Sequence, residues 1–426
     1  MVVGKIFEYL FMEISLDSQE SILRRNAGWL ILVASLGYFV DIYDLLLFII
    51  VRIPSLKGIG ISSTKEITSI GTSLLNIQSI GLLAGGFIWG IIGDKKGRLT
   101  VLFGSILMYS LANVLNGFVT EVWQYGILRF LAGFGLAGEL GAGVTLVSET
   151  MKKENRGYGT MLVAAIGILG AVVASFVAIK FNWRIAFFVG GGLGFILLIL
   201  RIGVAESGIY KETAEKIQIR GNIFDLFGNR DRLLRYIFTS FIALPIWYII
   251  GILMGFSREF GTALHLKFSV EPGLAISYAY MGGSVGNLLS GAISQWVKSR
   301  KKVVGFFIPF AGILMIIYLN LFEVNSFVFY SMCVILGIGT GFWVLFVTMG
   351  AEQFGTNLRA TAATSLPNVA RAYVIPLAFL YQSLAKPSGG ILMSATWVAL
   401  LTVILAAIGL WNIKETFGKD LNYLEE

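Results

Sequence analysis

Charged residues, cysteine, histidine and proline are all scarce in this chain of 426 residues. Only 14% of the residues are charged, against about 25% in a typical soluble domain. The single cysteine, Cys333, and the single histidine, His265, exclude an internal disulfide, a Cys/His zinc site and a C-x-x-C redox pair. We expect Cys333 to be a packing residue and His265 to be a polar group of a loop.

Apolar residues are correspondingly abundant and make up 56% of the chain. A soluble globule cannot hide so much apolar surface, because it must still cover itself with polar groups. The chain is therefore predicted to be an all-α integral membrane protein, since a helix of roughly 20 apolar residues crosses a bilayer. Twelve segments qualify as spans 1 to 12, in chain order: 27–51, 67–93, 99–119, 122–149, 158–180, 183–204, 233–257, 271–297, 302–321, 326–350, 360–384 and 390–412.

The twelve spans divide into two sets of six around the longest polar stretch, residues 205–232. Glycine-rich segments within the spans allow close packing of the helices. We therefore predict a six-helix bundle over residues 1–204, a cytoplasmic linker over 205–232 and a second six-helix bundle over 233–426. The short loops leave no room for a soluble catalytic domain, which argues against an enzyme.

The lysines and arginines indicate how the chain is oriented in the membrane. With the N-terminus inside, the basic clusters at Arg24, Lys95, Lys152 and Lys301 all fall in the cytoplasm, in agreement with the positive-inside rule. The segment before span 1 is too polar for a signal peptide, so we expect a multi-pass protein of the cell membrane with both termini cytoplasmic. The net charge of +8 is then a signal of topology and not a surface for nucleic acid. We expect the protein to act as a monomer in the lipid bilayer.

The loop between spans 2 and 3 reads GIIGDKKGR, from Gly90 to Arg98. It resembles the signature G-x-x-x-D-R-x-G-R of the major facilitator superfamily, with lysine in place of the first arginine. Gly90 permits tight helix contact, Asp94 can face the positive N-terminus of a neighbouring helix, and Arg98 can bridge carboxylates. The corresponding loop after span 8 keeps the glycine and the basic run but has Gln295 in place of the aspartate, which supports an internal repeat.

Three further fragments extend this resemblance along the chain. Span 4 reads RFLAGFGLAGE, and Ser-Glu and Arg-Gly pairs follow it, a pattern that looks like that of sugar and metabolite porters. The AES after span 6 and the EQFGTNLRATA after span 10 are similar to their P-E-S-P and E-x-F-P-T-x-x-R-A-T-A motifs. The resemblance implies the major facilitator fold and a secondary active transporter that works by alternating access. It also implies a cytoplasmic gate, which we assign to Gly90, Asp94, Gly97, Arg98, Glu149, Arg156, Glu352 and Arg359.

Ionisable residues inside the spans are functional by default, because a charge within the bilayer is costly. Asp41 and Asp44 are three residues apart on one face of span 1, and Arg129 of span 4 lies at a similar depth. We expect an Asp44–Arg129 pair that acts either as a static ion pair or as a proton switch. Proton-coupled sugar and aromatic-acid porters carry a span 1 aspartate and this arginine, so the resemblance implies a role in proton coupling. Glu139 resembles the glutamate of metabolite symporters and is expected to be a second proton carrier or a gate contact.

Arg371 lies near the middle of span 11, at the depth at which such transporters bind substrate. An unpaired guanidinium there is costly, so either a substrate carboxylate or a first-half aspartate must complete it. The static alternative is a pair with Asp41 or with a helix C-terminus. Aromatic-acid porters also carry an arginine in span 11, and we favour an organic anion bound through its carboxylate. Further candidates are Asn368 and Asn287 for hydrogen bonds to the substrate, and Trp247, Tyr248, Trp343 and Tyr373 for aromatic walls.

The predicted function is proton-coupled symport of a small organic anion such as an aromatic acid, with protons as the coupling ion and no other cofactor or metal. A sugar porter is the nearest alternative, although span 7 lacks the paired glutamines of that family. A phosphate symporter is another, although span 8 lacks an acidic residue. A drug–proton antiporter is disfavoured because Arg371 repels cations, and a sensor or scaffold that transports nothing is the alternative from a different class. The sequence does not encode the direction of transport.

Overall fold

The structure is a computed structural model that describes residues 18–151, 156–206, 226–420 and 423–425. Side chains are described for all of these except residues 18–27, 64, 68, 98, 148–150, 156 and 202–206. Every regular element in this part of the chain is a helix, which confirms the all-α prediction. Most of the predicted linker lies outside the described residues, so the domain boundaries stay a prediction.

The first six spans form helices close to the predicted bounds. Spans 1, 2, 3 and 6 are single helices over Ser18–Gly58, Thr64–Lys96, Arg98–Asn116 and Trp183–Glu206. Span 4 is broken into Val122–Leu136 and Glu139–Thr150, and span 5 into Arg156–Ile168 and Gly170–Lys180. Span 1 extends beyond the prediction at both ends, because hydropathy marks the apolar part of a helix and not its polar ends.

The last six spans repeat this arrangement. Spans 8, 9 and 12 are single helices over Pro272–Val297, Arg300–Tyr318 and Ile391–Asn412. Span 10 is broken into Ser326–Gly339 and Trp343–Glu352, and span 11 into Arg359–Ala372 and Val374–Leu384. Span 7 runs through Arg230–Phe241, Leu244–Trp247 and a π-helix, Tyr248–Met254, and the short helix Ser257–Ala263 follows it. Spans 10 and 11 correspond to spans 4 and 5, so the helices break at equivalent places in the two halves, as an internal repeat predicts.

Ten helices in the described part of the chain are long and apolar enough to cross a membrane. They correspond to all of the predicted spans except 8 and 11. Span 8 is rich in glycine and serine, and span 11 carries Arg359, Asn368 and Arg371 and breaks at Tyr373. Most side chains of span 11 up to this break are buried against other helices. The polar residues of span 11 are therefore shielded by protein, where polar groups in a membrane protein are tolerated.

Glycines bring the backbones of neighbouring spans into contact within each half. A Cβ atom at Gly133 of span 4 would lie 2.2 Å from the carbonyl oxygen of Gln78 in span 2. A Cβ atom at Gly282 of span 8 would lie 1.9 Å from the carbonyl oxygen of Val334 in span 10. Since no side chain fits at these distances, spans 2 and 4 and spans 8 and 10 are held together by equivalent small-residue contacts.

The two halves pack against each other along two pairs of spans. Span 2 contacts span 11, and span 5 contacts span 8. The hydroxyl of Ser284 in span 8 donates to the carbonyl of Ala165 in span 5 at 2.8 Å. The side-chain amide of Asn368 in span 11 donates to the carbonyl of Ala137, at the break in span 4, at 3.0 Å. This packing places the polar face of span 11 against the charged residues of the first half.

We expect Gly282→Val to lower the unfolding temperature, because spans 8 and 10 must move apart to admit a side chain, at a cost of about 1–3 kcal/mol. Gly192→Val in span 6 is the matched control, since no atom lies within 4 Å of a Cβ atom at that position. Thermal unfolding of both purified variants in detergent measures the difference. Equal unfolding temperatures would contradict the close contact of spans 8 and 10.

Candidate functional site

A buried ion pair connects the two halves. Arg371 Nη2 of span 11 lies 3.0 Å from Asp41 Oδ2 of span 1, and the two side chains are 5% and 0% exposed. Arg371 Nη1 also donates to Asn368 Oδ1 at 3.2 Å. The structure therefore has the static alternative, in which Arg371 pairs with Asp41. The Asp41 carboxylate occupies the position at Arg371 that a substrate carboxylate needs. Asp41 Oδ1 has no hydrogen-bond partner among the described residues, so the carboxylate is held on one side only.

Aromatic rings lie next to this ion pair. The guanidinium carbon of Arg371 is 5.9 Å from the centre of the Trp247 ring. The rings of Trp247 and Trp343 meet edge to face, with their centres 5.7 Å apart, and Trp343 Nε1 donates to the hydroxyl of Tyr38 at 2.8 Å. Tyr38 precedes Asp41 by three residues in span 1 and completes the aromatic corner. The sequence prediction did not select Tyr38, although its spacing from Asp41 places the two on neighbouring parts of one helix face.

The expected contact between Asp44 and Arg129 is not direct. Asn113 of span 3 lies between them: its Nδ2 donates to Asp44 Oδ2, and its Oδ1 accepts from Arg129 Nη2 at 3.1 Å. Asp41 and Asp44 also point to different neighbours, the first to span 11 and the second to span 3. The sequence predicted that Asp41 and Asp44 share one face of span 1. Their side chains diverge because positions three apart on a helix differ by about 60° in direction.

Arg129 is held by amides and aromatic rings. Its Nε donates to Asn116 Oδ1 at 3.3 Å, and its guanidinium carbon lies 4.9 Å from the ring centre of Phe187 and 5.6 Å from that of Phe48. Arg129 is fully buried, so these rings provide much of its surroundings through cation–π contact. The asparagines of span 3 were missed from the sequence, although the run SLANVLN places two amides inside an apolar helix.

Glu139 belongs to a second buried ion pair, within the first half. Arg201 Nη2 lies 2.7 Å from Glu139 Oε2, and Arg201 Nη1 donates to Oε1 at 2.9 Å. The hydroxyl of Ser105 donates to the same Oε1 at 2.7 Å. Because both carboxylate oxygens are engaged, the geometry favours a fixed contact among spans 3, 4 and 6 over a mobile proton carrier. Arg201 was missed, although an arginine inside the apolar run ILLILRIGVA is a visible signal.

Three of the candidate substrate residues have other partners. Asn287 donates to the carbonyl of Gly283 at 2.8 Å and accepts from the backbone N–H of Val344 at 2.8 Å, so it fixes the break in span 10. Tyr248 is fully buried, and its hydroxyl donates to the carbonyl of Ala395 in span 12. The hydroxyl groups of Tyr373 and Ser240 lie 2.6 Å apart. Asn287 and Tyr248 thus have partners within the protein, and their role in substrate binding stays a prediction, because a sequence gives the depth of a residue but not the side of the helix it occupies.

Asp94 contacts the N-terminus of span 11 at the predicted gate. Its Oδ1 accepts from the backbone N–H of Ala360 at 3.0 Å, and its Oδ2 accepts from the N–H and hydroxyl of Thr361 at 2.8 and 2.6 Å. A Cβ atom at Gly90 would lie 2.6 Å from the Cα atom of Thr361, and Gly97 turns the chain with a φ of 91°. A carboxylate at a helix N-terminus is a favourable electrostatic contact. This contact joins the two halves, and its role as a gate stays a prediction.

The other gate residues fall into two groups. Glu352 pairs with Arg300 through both oxygens, at 2.7 and 2.8 Å, and both side chains are buried. Arg359 is buried and donates to the hydroxyl of Thr356 at 3.4 Å. The side chains of Arg98, Glu149 and Arg156 lie outside the described part of the structure. The sequence had assigned Arg300 only to the basic cluster after span 8, because charge alone does not reveal a buried partner.

The segment after span 12 packs on this side of the protein. The Glu415 carboxylate accepts from the Ser299 hydroxyl at 2.5 Å and from the N–H groups of Arg300 and Lys301 at 3.1 Å each. Burial raises the pKa of Glu415, but the hydrogen bonds from Ser299 and the backbone outweigh it, so this pKa lies below its usual value. Glu415 is therefore a charged cap of span 9 at neutral pH. No group of three His, Cys, Asp or Glu side chains that could hold a metal ion occurs in the described residues.

Two repeated halves of six spans with helix breaks at equivalent places are an arrangement found in transporters. Residues 34–379 match the family model of the Major Facilitator Superfamily. The chain therefore belongs to this superfamily, as its loop motifs predicted. It is a membrane protein with the major facilitator fold, and its family consists of transporters and not of enzymes.

Similar proteins transport a range of small molecules. The chain is 30% identical to a protein of Bacillus subtilis named as a candidate niacin/nicotinamide transporter, over 51% of this chain and 53% of that protein. That match therefore spans about half of the relative. The chain is 26% identical to the gentisate transporter of Corynebacterium glutamicum, over 77% of this chain and 75% of that protein. Its fold resembles the solved structure of the proton:xylose symporter XylE, with a TM-score of 0.68, 17% identity and 93% and 98% of the two chains covered.

We expect Asp94→Asn to slow transport by roughly tenfold with little change in substrate affinity, because it weakens charged hydrogen bonds between the halves without touching the ion pair. Asp94 contacts residues ten positions from Arg371 along span 11, about 15 Å away along the helix. Asp231→Asn is the matched control, since Asp231 is an exposed acid at the N-terminus of span 7. Initial rates in proteoliposomes over a range of substrate concentrations measure both effects, and a selective loss of affinity would contradict the gate.

Proposed function

We propose that the protein is a proton-coupled symporter of a small organic anion, an aromatic or other carboxylic acid, that works by alternating access. The observation that carries this proposal is the buried Arg371–Asp41 pair between the two halves. The guanidinium presents a fork of donors that matches a carboxylate. A substrate carboxylate and the Asp41 carboxylate therefore compete for the same group.

This competition couples the anion to a proton. When a substrate carboxylate takes Arg371, an ionised Asp41 is left as an unpaired buried charge, which costs about 3–5 kcal/mol. A proton on Asp41 removes that charge, so anion and proton bind together more favourably than either does alone. Asp44 of the same span is connected to Arg129 through the amide of Asn113. It provides a second carboxylate that can take up the proton.

The surroundings of Arg371 support an aromatic substrate. Trp247 and Trp343 form an edge-to-face pair beside the guanidinium, and a planar ring can pack against such a pair. The indole N–H of Trp247 has no hydrogen-bond partner among the described residues, so it is a donor that a polar group on the ring can use. The named substrates of two relatives, niacin and gentisate, agree with a small aromatic acid.

The proposal also covers the location, the orientation, the oligomeric state and the coupling ion of the protein. We place it in the cell membrane as a monomer with both termini cytoplasmic, with Asp94 and Glu352 on the cytoplasmic side. Protons are the coupling ion. The replacement of the Asp41 carboxylate by a substrate carboxylate at Arg371 needs no other cofactor. The basic clusters at Lys95 and Lys301 support this orientation.

Arg371→Lys should weaken binding of the anion by about tenfold or more, because an ammonium cannot reproduce the planar fork. Thermal unfolding of the purified protein with aromatic acids, aliphatic acids, sugars and phosphate identifies the ligand class by stabilisation of the folded state. Arg258→Lys is the matched control, since Arg258 pairs with Glu271 at an exposed site. Equal stabilisation of the wild type and Arg371→Lys across the carboxylates would rule out Arg371 as the ligand of the anion, and stabilisation by sugars alone would favour a sugar porter.

Asp41→Asn should abolish accumulation driven by a pH gradient and leave counterflow exchange, because the neutral amide imitates the protonated acid permanently. Anion binding in this variant should also depend less strongly on pH than in the wild type. Uptake of labelled substrate into proteoliposomes, with and without an acidic exterior, measures the first effect, and binding at pH 5 to 8 measures the second. Intact pH-driven accumulation in Asp41→Asn is the result that excludes competition at Arg371 as the coupling step.

A further inference from the structure

The amide of Asn113 joins the side chains of Asp44 and Arg129. All three residues are fully buried, and the amide donates to the first and accepts from the second. We propose that Asn113 is a positioning residue for proton coupling, which keeps Asp44 out of direct contact with Arg129 and thereby sets the pH at which Asp44 takes up a proton. This inference rests on the proposed proton symport.

Arg129 fixes the orientation of the Asn113 amide. A guanidinium has only donors, whereas an amide has one oxygen acceptor and an NH₂ donor. Because Arg129 Nη2 donates to Asn113 Oδ1 at 3.1 Å, the NH₂ group must face Asp44. Arg129 itself is fixed by its bond to Asn116 and by the ring of Phe187. Asp44 therefore receives a neutral donor of fixed direction in place of the guanidinium.

The same geometry shows what Asn113 prevents. Asp44 Oδ1 and Arg129 Nη1 both lack a hydrogen-bond partner among the described residues. A direct ion pair can use these two atoms once the amide between the side chains is removed. A guanidinium in direct contact holds a carboxylate in its charged form more firmly than an amide does. The intervening Asn113 thus leaves Asp44 easier to protonate.

Few other ionisable groups face Asp44. Span 1 provides Asp41 and Tyr43, span 3 provides Tyr109, and span 4 provides Arg129. Span 6 presents the backbone of Gly190, at which a Cβ atom would lie 2.6 Å from Asp44 Oδ1. Of these groups only Arg129 is positively charged, and Asn113 stands between it and the carboxylate. The amide is therefore in the position that controls the charge of Asp44.

The test is the pH dependence of uptake in proteoliposomes for two substitutions of Asn113. Asn113→Ala removes the amide together with the bulk that separates the two side chains and so allows Arg129 to reach Asp44, and the pH of half-maximal uptake should fall by about one unit. Asn113→Asp places a second carboxylate beside Asp44, and the two then share a proton, so the midpoint should rise by about one unit. Gln78→Ala is the control: it removes a buried amide of span 2 that has no hydrogen-bond partner among the described residues, and its midpoint should stay in place.

A structural role for Asn113 predicts a different result. It predicts lower uptake at every pH with an unchanged midpoint for both substitutions, and that outcome overturns the inference. In an Asp44→Asn background the effect of Asn113→Ala on the midpoint should vanish, and its persistence also overturns the inference. A wild type whose uptake is independent of pH instead refutes the proposed symport itself, so the two failures are distinguishable. If Asn113→Ala does not fold, Asn113→Ser takes its place, since its side chain is too short to hold Asp44 and Arg129 apart and the same fall of the midpoint is expected.

Discussion

A buried ion pair, Arg371 with Asp41, links the two halves of this transporter. Neither charge can be left alone inside the membrane, because an uncompensated buried charge costs several kcal/mol. Any movement that separates span 1 from span 11 must therefore supply a new partner for the arginine and neutralise the aspartate. In the proposed function a substrate carboxylate and a proton meet these two needs together, so the pair links the choice of substrate to the coupling ion.

The broken helices make such a movement possible. Spans 4, 5, 10 and 11 break at equivalent places in the two halves, and each break frees backbone groups that need partners from outside their own helix. Asn368, beside Arg371, provides one of these partners by donating to the carbonyl of Ala137 at the break in span 4. Arg371 and a helix break of the other half are thus connected through one amide, that of Asn368.

Hydropathy and charge predicted the spans, the repeat and the charged residues near the site, because each of these features has a large energetic cost or gain in a membrane. They could not predict how each helix is rotated about its axis. Asp41 and Asp44 were expected together, yet the rotation of about 60° between them directs one to each half. Asn113 escaped notice for a related reason: a neutral amide barely changes hydropathy, and only its neighbours reveal its importance. Arg201 and Arg300 carry a visible charge, but their buried partners come from spans distant in sequence.

The contacts at the predicted cytoplasmic side are unequal in the two halves, although the fold repeats. Asp94 places a full negative charge on the N–H groups that begin span 11. The equivalent Gln295 lies against Gly157, at the start of span 5, but offers only a neutral amide. A charged hydrogen bond is roughly twice as strong as a neutral one, so the contact of span 2 with span 11 is the firmer of the two. On the same side, the second half has a buried ion pair within itself, between Arg300 and Glu352. Asp94 of span 2 thus holds the N-terminus of span 11, the span that also carries Arg371, so the predicted gate and the proposed substrate site meet on one helix.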